Sequence, residues 1–208
     1  MKPLDLDKID FSDKNDPLLI SIGISNKHLH LSQADLETLF GEGYQLQERS
    51  ALTQPGQFAA QETVTVVGPK GSLDNVRILG PVRKETQVEL AQTDARRTGI
   101  EAPVRLSGDL AGSADCVLIG PKGIITAKAK VIVPIAHIHL SLEQAGQMGI
   151  CDQDLVDVYF KSSTKSGALF NIVCRVGNGH IKDFHMDTDE ANAFQLKNGD
   201  LALIVKHE

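Results

Sequence analysis

Residues 27–32 read KHLHLS and residues 136–141 read AHIHLS, so one short pattern occurs twice in the same chain. Each copy holds two histidines separated by one apolar residue. Alternate side chains of a β-strand point to the same face, so both imidazoles of a pair would share one face. Two such pairs supply four nitrogen ligands, and the repetition argues against chance histidines that face solvent. The pattern predicts a metal-binding protein.

The composition is typical of a globular protein that does not bind nucleic acid or cross a membrane. The chain has 208 residues, enough for one large domain or two small ones, and 41% of them are hydrophobic. A net charge of −6 and the lack of tryptophan argue against a nucleic-acid surface. No apolar run is long enough to span a bilayer. Three scattered cysteines without a C-x-x-C motif indicate reduced thiols in a cytoplasmic protein.

The histidine repeat belongs to a longer unit of strand, ligand and short helix. In four places a histidine or glutamate, both common metal ligands, ends an apolar strand, and a predicted helix begins about two residues later. These residues are His30, Glu89, His139 and His185. Capping boxes are predicted at Ser32 with Asp35, Ser141 with Gln144, and Asp187 with Glu190. Glycines that would end helices follow at Gly41, Gly99 and Gly149.

The remaining patterns favour a mainly β (α+β) fold. Short β-branched strands are predicted at 18–24, 63–67, 76–79, 116–119, 128–133, 155–160, 169–176 and 201–205. A second repeated element, VGPKG at 67–71 and IGPKG at 119–123, predicts tight turns after strands. We therefore expect two small β-barrels with short capping helices, duplicated within the chain.

Internal symmetry between the four units would bring their ligands together, with His28 and His137 added from two residues earlier. Six ligands suit two ions that are each held by three protein groups. Three protein ligands leave coordination positions open, as catalytic zinc sites do. Imidazole and carboxylate favour zinc, although cobalt, nickel or manganese fit the same ligands. The other histidines, His180 and His207, are expected to be solvated.

Arg83 lies six residues before Glu89, at the entrance to the same predicted strand. A guanidinium there would hold a phosphate through two parallel hydrogen bonds, which lysine cannot reproduce. The alternative is an ordinary surface arginine. Ser107, near a strand end, is a further candidate for lining the same site.

Several motifs resemble, in the same order, the PduL-type phosphotransacylases, also called phosphate propanoyltransferases. They are SNKHLHLS at 25–32, QPGQ at 54–57, GPKG at 68–71, QVE at 87–89, TDAR at 93–96, RLSG at 105–108 and HMDTDEAN at 185–192. The likeness covers nearly the whole chain after Pro17. It implies reversible transfer of a short-chain acyl group, acetyl or propanoyl, between coenzyme A and inorganic phosphate. It also implies a homodimer.

The resemblance further implies a domain plan and a division of the ligands. Residues 1–16 would form a flexible arm, 17–26 a strand that completes the second barrel, 27–135 the first barrel and 136–208 the second. A two-zinc site would lie between the barrels. One zinc would be held by His28, His30 and Glu89, and the other by His137, His139 and His185. Arg83 matches the family's phosphate-binding arginine. Residues that would lie near coenzyme A are Ser25, Arg77 and Asn192.

The chain departs from the family pattern in two places. Ala136 stands where the family usually has a basic residue, which would weaken phosphate or coenzyme binding. Leu4, Leu6, Ile9 and Phe11 alternate with aspartates and form no apolar stripe, unlike the amphipathic helix of members packaged in bacterial microcompartments. A cytoplasmic enzyme is therefore expected rather than one in a microcompartment lumen.

Two other functions fit parts of the sequence. A zinc-dependent hydrolase would use the same open coordination positions to activate water instead of admitting phosphate. A cupin-like metal-binding barrel without this activity would use His137, His139 and Glu143. However, Glu143 falls inside a predicted helix, and the second cupin motif is missing.

Overall fold

The computed structural model describes residues 5–13 and 15–207. Within them the chain forms fourteen strands, four α-helices and a 3-10 turn at Leu6–Lys8. The strands are β1 (Leu19–Ser25), β2 (His28–His30), β3 (Glu48–Ala51), β4 (Phe58–Gly68), β5 (Gly71–Gly80), β6 (Gln87–Glu89), β7 (Val104–Arg105), β8 (Ala114–Ile119), β9 (Ile124–Pro134), β10 (His137–Leu140), β11 (Leu155–Lys161), β12 (Ser166–Val176), β13 (Asp183–Asp187) and β14 (Leu201–Lys206). The helices are α1 (Gln33–Phe40), α2 (Gln92–Thr98), α3 (Leu142–Met148) and α4 (Thr188–Phe194).

The chain divides into two compact units. One, here called the central unit, is Asn26–Ile135. The other, the terminal unit, combines Met1–Ser25 with Ala136–Glu208. Each unit has its own apolar core. Leu29 and Val88 are fully buried in the central core, and Ile138 and Phe184 in the terminal core.

Each unit contains a closed barrel of six strands. The central barrel runs β2, β5, β4, β8, β9 and β6, and β6 pairs back with β2. The terminal barrel runs β10, β12, β11, β14, β1 and β13, and β13 pairs back with β10. Both rings show the same succession of parallel, antiparallel, antiparallel, antiparallel, parallel and antiparallel pairs. The predicted fold class, two duplicated β-barrels with short helices, is confirmed.

The two rings differ in chain order. In the central barrel, β9 follows β8 through the hairpin at 120–123. Its counterpart in the terminal barrel is β1, which pairs with β14 and β13 although it precedes the entire central unit in the sequence. The terminal barrel is therefore closed by a strand from the other end of the chain.

The helix starts follow the sequence predictions with one correction. Complete capping boxes open α3 at Ser141 and α4 at Asp187. At α1 the box predicted for Ser32 and Asp35 is wrong. Ser32 Oγ accepts from the Asp35 N–H at 3.2 Å, but the Ser32 N–H donates to Thr86 Oγ1 at 3.0 Å, and Thr86 in turn bonds Asp35. Aspartate is one methylene shorter than the glutamate or glutamine of a capping box, and the Thr86 hydroxyl bridges the gap.

The two Gly-Pro-Lys-Gly turns dock hairpins onto helix ends. The Lys70 N–H donates to Thr98 O and the Lys122 N–H to Leu39 O, both at 2.9 Å. A Cβ on Gly68 would come within 2.5 Å of Thr98 O. A Cβ on Gly120 would come within 2.6 Å of Leu39 O. The glycines are therefore required by the close approach of hairpin and helix.

The described part of the N-terminal segment lies on the surface of the terminal unit. Asp7 pairs with Lys161 of β11 at 2.7 Å, with both side chains largely exposed. Of the apolar residues considered for an amphipathic helix, Leu4 lies outside the described residues. None of the described helices combines the length and apolar character that a membrane span requires.

We expect Gly120→Ala to lower the free energy of unfolding by about 1–3 kcal/mol, because the added methyl group would displace the hairpin from α1. Gly146→Ala is the matched control, since nothing lies within 4 Å of the new Cβ in α3. Replacing a mid-helix glycine should raise the free energy by about 0.5–1 kcal/mol. Urea unfolding of both variants measures the difference. Equal effects would contradict the docking role of the turn.

A pH dependence is expected from Glu190, the third residue of α4. Burial raises the pKa of Glu190 from 4.5 to about 7. A carboxyl group whose pKa rises on folding destabilises the native state as the pH increases through this range. Glutamine at this position, as at Gln144 of α3, would keep the cap without the charge.

Glu190→Gln should therefore raise the free energy of unfolding, by about 1–2 kcal/mol more at pH 8 than at pH 5. Urea unfolding at the two pH values tests this. Glu143→Gln, at an exposed position in the first turn of α3, should show no such dependence. A Glu190→Gln effect that is the same at both pH values would refute the raised pKa.

Candidate metal centres

Each barrel brings three metal-ligand side chains together at the same place in its strand ring. The central set is His28, His30 and Glu89, and the terminal set is His137, His139 and His185. Within each set, one ligand atom from each residue lies within 4.8 Å of the others. His28 of β2 lies opposite Glu89 of β6 in the strand register. His137 of β10 lies opposite His185 of β13 in the same way. The sets are therefore structural equivalents.

The histidines of the central set are oriented by backbone carbonyls. His28 Nδ1 lies 2.8 Å from Asn26 O, and His30 Nδ1 lies 3.2 Å from Leu79 O. A carbonyl only accepts, so in both rings Nδ1 carries the proton and Nε2 remains available. His28 Nε2 is 3.3 Å from Glu89 Oε2. Two ligand atoms at the usual 2.0–2.1 Å from a tetrahedral zinc ion would be separated by about the same distance, roughly 3.3 Å.

Glu89 is held by side chains around its other oxygen. Ser107 Oγ donates to Glu89 Oε1 at 2.7 Å, and Gln87 Nε2 donates to the same oxygen at 2.5 Å. These two donors leave Oε2 directed toward His28. Sequence reasoning missed the role of Gln87. The available signal was its position two residues before Glu89, on the same face of the strand.

The electrostatics of the central set suit metal binding. Burial alone would raise the pKa of Glu89, but His28, His30 and Ser107 together hold it well below its usual range. Burial, reinforced by the charge of Arg83, lowers the pKa of His30 to about 3. Burial favours neutral His28 too, yet the Glu89 carboxylate raises the pKa of that ring. The Glu89 carboxylate and the neutral His30 ring are forms that bind divalent ions, and His28 would release its proton when an ion binds.

The terminal set consists of imidazoles. His137 Nε2 and His139 Nε2 lie 3.1 Å apart, and His185 Nε2 lies 2.8 Å from Asp183 Oδ2. Burial, together with His137 and His185, lowers the pKa of His139 to about 2. Among the described residues, His139 Nδ1 is buried and has no hydrogen-bond partner. Three imidazoles with ligand atoms within 4.8 Å of one another fit a borderline ion such as zinc.

The two histidines expected to be solvated are both engaged. His180 is half-buried, with its ring edge-on to that of His139 at a centroid separation of 4.7 Å. His207 Nε2 lies 2.7 Å from Asp157 Oδ1. Neither residue belongs to a ligand set, and His207 is exposed as expected, whereas His180 is partly covered by the ring of His139.

Arg83 lies at a cleft of about 280 Å³ in the central unit. The cleft is lined by Arg83, Lys84, Glu85, Gln87, Gly108 and Leu110. The Arg83 N–H donates to Leu31 O at 2.9 Å, next in sequence to His30, while its side chain is exposed. The cleft therefore carries two cationic side chains and one carboxylate, and it is also lined by Gln87, which hydrogen-bonds Glu89.

The other candidate binding residues are distributed over both units. Arg77 lies opposite His28 in the strand register, and its Nη1 donates to Ala60 O at 3.0 Å and Gln61 O at 2.7 Å. Ser25 ends β1 opposite Asp187, which caps the helix that carries Asn192. Asn192 is exposed.

Comparison with known proteins identifies the family. A family model described as phosphate propanoyltransferase matches residues 21–197. Among similar proteins, one from Thermotoga maritima is 52% identical over 187 residues, which is 90% of this chain and 89% of the relative. One from Rhodobacter capsulatus is 46% identical, with 92% and 88% covered. One from Salmonella typhimurium is 45% identical, with 86% and 85% covered. All three are named phosphate propanoyltransferase.

Proposed function

Because the chain belongs to the phosphate propanoyltransferase family, we propose that it transfers an acetyl or propanoyl group between coenzyme A and inorganic phosphate with the help of two zinc ions. Family membership agrees with the resemblance recognised in the sequence and makes the protein a phosphate acyltransferase. The observation that carries the zinc proposal is the pair of equivalent three-ligand sets. His28, His30 and Glu89 would hold one ion, and His137, His139 and His185 the other.

The proposed reaction is a direct displacement at the thioester. A phosphate oxygen attacks the carbonyl carbon, the new C–O bond forms and the C–S bond breaks. The sulfur leaves with the electron pair and takes the proton that phosphate gives up, which yields acyl phosphate and coenzyme A. Phosphate is already ionised near neutral pH, so the reaction needs alignment and desolvation more than a strong general base.

Arg83 is proposed to bind and orient the phosphate. Its guanidinium can give two parallel N–H donors to a phosphate in the cleft, and Lys84 adds a second cation to the wall. Ser107 is proposed as a substrate-facing hydroxyl, supported by its contact with Glu89. When bound, a zinc ion with an open position would stabilise the negative charge that develops on the thioester oxygen.

A covalent cysteine intermediate is not part of the proposal. Burial raises the pKa of both Cys116 and Cys174 to about 12, so neither is a thiolate near neutral pH. Cys151 is exposed and follows the C-terminal end of α3, not a helix start of the kind that activates nucleophilic cysteines.

Coenzyme A is proposed to contact Ser25, Arg77 and Asn192. The register that sets Ser25 against the N-cap of the Asn192 helix supports the first and third of these. The bonds to Ala60 O and Gln61 O fix the direction of the Arg77 guanidinium. Ala136, where the family pattern has a basic residue, is buried in the terminal core and offers no charge to either substrate.

A thiol-release assay tests the function. We expect acetyl-CoA or propanoyl-CoA to release coenzyme A only when phosphate is present, with formation of the acyl phosphate. Chelation should abolish release, and added zinc should restore it, because the ligand sets leave positions open for chemistry. The faster substrate identifies the acyl group.

We also propose that the protein is a cytoplasmic homodimer. Light scattering tests the oligomeric state, and cell fractionation tests the location.

Release of coenzyme A without phosphate would instead indicate the zinc-dependent hydrolase. Metal binding with no release from either thioester would favour a cupin-like barrel. Both results would contradict the transferase mechanism proposed for this chain.

Substitution of Arg83 should act mainly on phosphate. We expect Arg83→Ala to raise the KM for phosphate by about 10–100-fold, since a hydrogen bond to a charged group contributes about 1.5–3 kcal/mol. The KM for acyl-CoA should change little. Arg83→Lys should restore only part of the loss, because an ammonium cannot give the paired donors. Arg97→Ala, at an exposed position on α2, is the control. Equal changes in both KM values would contradict the assigned role.

A further inference from the structure

Each barrel has a buried polar side chain beside the third ligand of its metal set. Gln87 precedes Glu89 by two residues on β6, and Asp183 precedes His185 by two residues on β13. In the strand register, Gln87 is the partner of His30, and Asp183 is the partner of His139. Alternate residues of a strand share a face, so both side chains lie on the ligand face. They occupy one equivalent position in the duplicated fold.

The hydrogen bonds of Gln87 define the direction of its amide. Its side chain is 3% exposed, and Oε1 accepts from the Gly108 N–H at 2.9 Å. A backbone N–H only donates, so the oxygen of the amide must face Gly108. The nitrogen therefore faces Glu89 Oε1, at 2.5 Å, and Ser107 Oγ, at 2.9 Å. Gln87 thus gives a donor to a ligand that can only accept.

Asp183 has the opposite chemical character. It is 2% exposed, and its Oδ2 lies 2.8 Å from His185 Nε2. An ionised carboxylate only accepts, so the imidazole donates from Nε2 and keeps Nδ1 for an ion. Hydrogen bonds of this kind fix the orientation and tautomer of metal-binding histidines.

We infer that Gln87 and Asp183 are matched positioning residues, one in each barrel, whose donor or acceptor character is set by the third ligand beside them. The inference rests on the proposed metal sites and adds the residues that orient their third ligands. An amide donor orients the carboxylate of Glu89, and a carboxylate acceptor orients the imidazole of His185. Changing only one residue of either pair would set two acceptors or two donors against each other.

The packing around Asp183 supports this role. Gly23 of β1 is the register partner of His185. A Cβ at Gly23 would lie 3.0 Å from both Asp183 Oδ2 and His185 Cδ2. Glycine at this position therefore leaves room for the paired carboxylate and imidazole. The equivalent position beside Glu89 is Ile132, so the extra space is found where the larger imidazole serves as the third ligand.

Zinc affinity of the full-length chain, measured by competition with a chromogenic chelator, tests the inference without an activity assay. Gln87→Met and Asp183→Asn should each lower the affinity for one of the two zinc ions by about 10–100-fold. The decisive variant is the triple substitution Gln87→Asp, Glu89→His and Ile132→Gly, which gives the central barrel the carboxylate, the imidazole and the space found in the terminal barrel. We expect it to hold zinc at least about tenfold more tightly than Glu89→His with Ile132→Gly, because the new imidazole regains an acceptor.

Asp157→Asn is the matched control. Asp157 is another buried aspartate of the terminal barrel, and it bonds His207, which belongs to neither ligand set. Its substitution should leave both zinc affinities unchanged. Equal losses in Asp157→Asn and Asp183→Asn, or no gain in the triple variant, would overturn the inference while the metal sites stand. Wild-type protein that binds no zinc would overturn the inference together with the zinc part of the proposed function.

Discussion

The structure depends most on one antiparallel strand pair that occurs in each barrel. β2 pairs with β6 and β10 with β13, and each pairing sets the first histidine of a His-x-His motif opposite the third ligand. The residues between the ligands, Leu29 and Ile138, are fully buried in the barrel cores. A shift of one residue in either strand would exchange the core and ligand faces. The apolar core therefore fixes the ligand geometry.

Duplication explains why the same chemistry appears twice despite different chain order. The central barrel closes through consecutive strands, whereas β1 must cross from the start of the chain to close the terminal barrel. The ring of pairings is nevertheless identical. Hydrogen-bonded neighbours and not chain connections determine where the ligand strands meet, so the ligand sets stay equivalent. In the central unit, hairpin turns at Gly68 and Gly120 pack on the ends of α2 and α1 and hold these helices against the barrel.

The sequence predicted the features whose causes are local. Alternating histidines, glycines after helices and the Gly-Pro-Lys-Gly turns each act within a few residues, and the fold class followed from them. Features that depend on distant strands were missed or wrong. Thr86 reaches Asp35 from another strand to complete the cap of α1, and His207 reaches Asp157 across fifty residues. Gln87 lay within a recognised motif, but its partner Gly108 is supplied by a separate loop.

With a divalent ion bound, the two ligand sets would carry the same net positive charge, which favours anion binding. In the central set the carboxylate of Glu89 is itself a ligand and raises the pKa of His28, so a proton can compensate the buried charge before an ion binds. In the terminal set the carboxylate is that of Asp183, which is not a ligand but hydrogen-bonds the imidazole of His185. A divalent ion would therefore leave each set, with its supporting residue, at a net charge of about +1. Arg83 adds further positive charge beside the central set. An excess of positive charge is what a phosphate nucleophile and a developing thioester oxyanion both require.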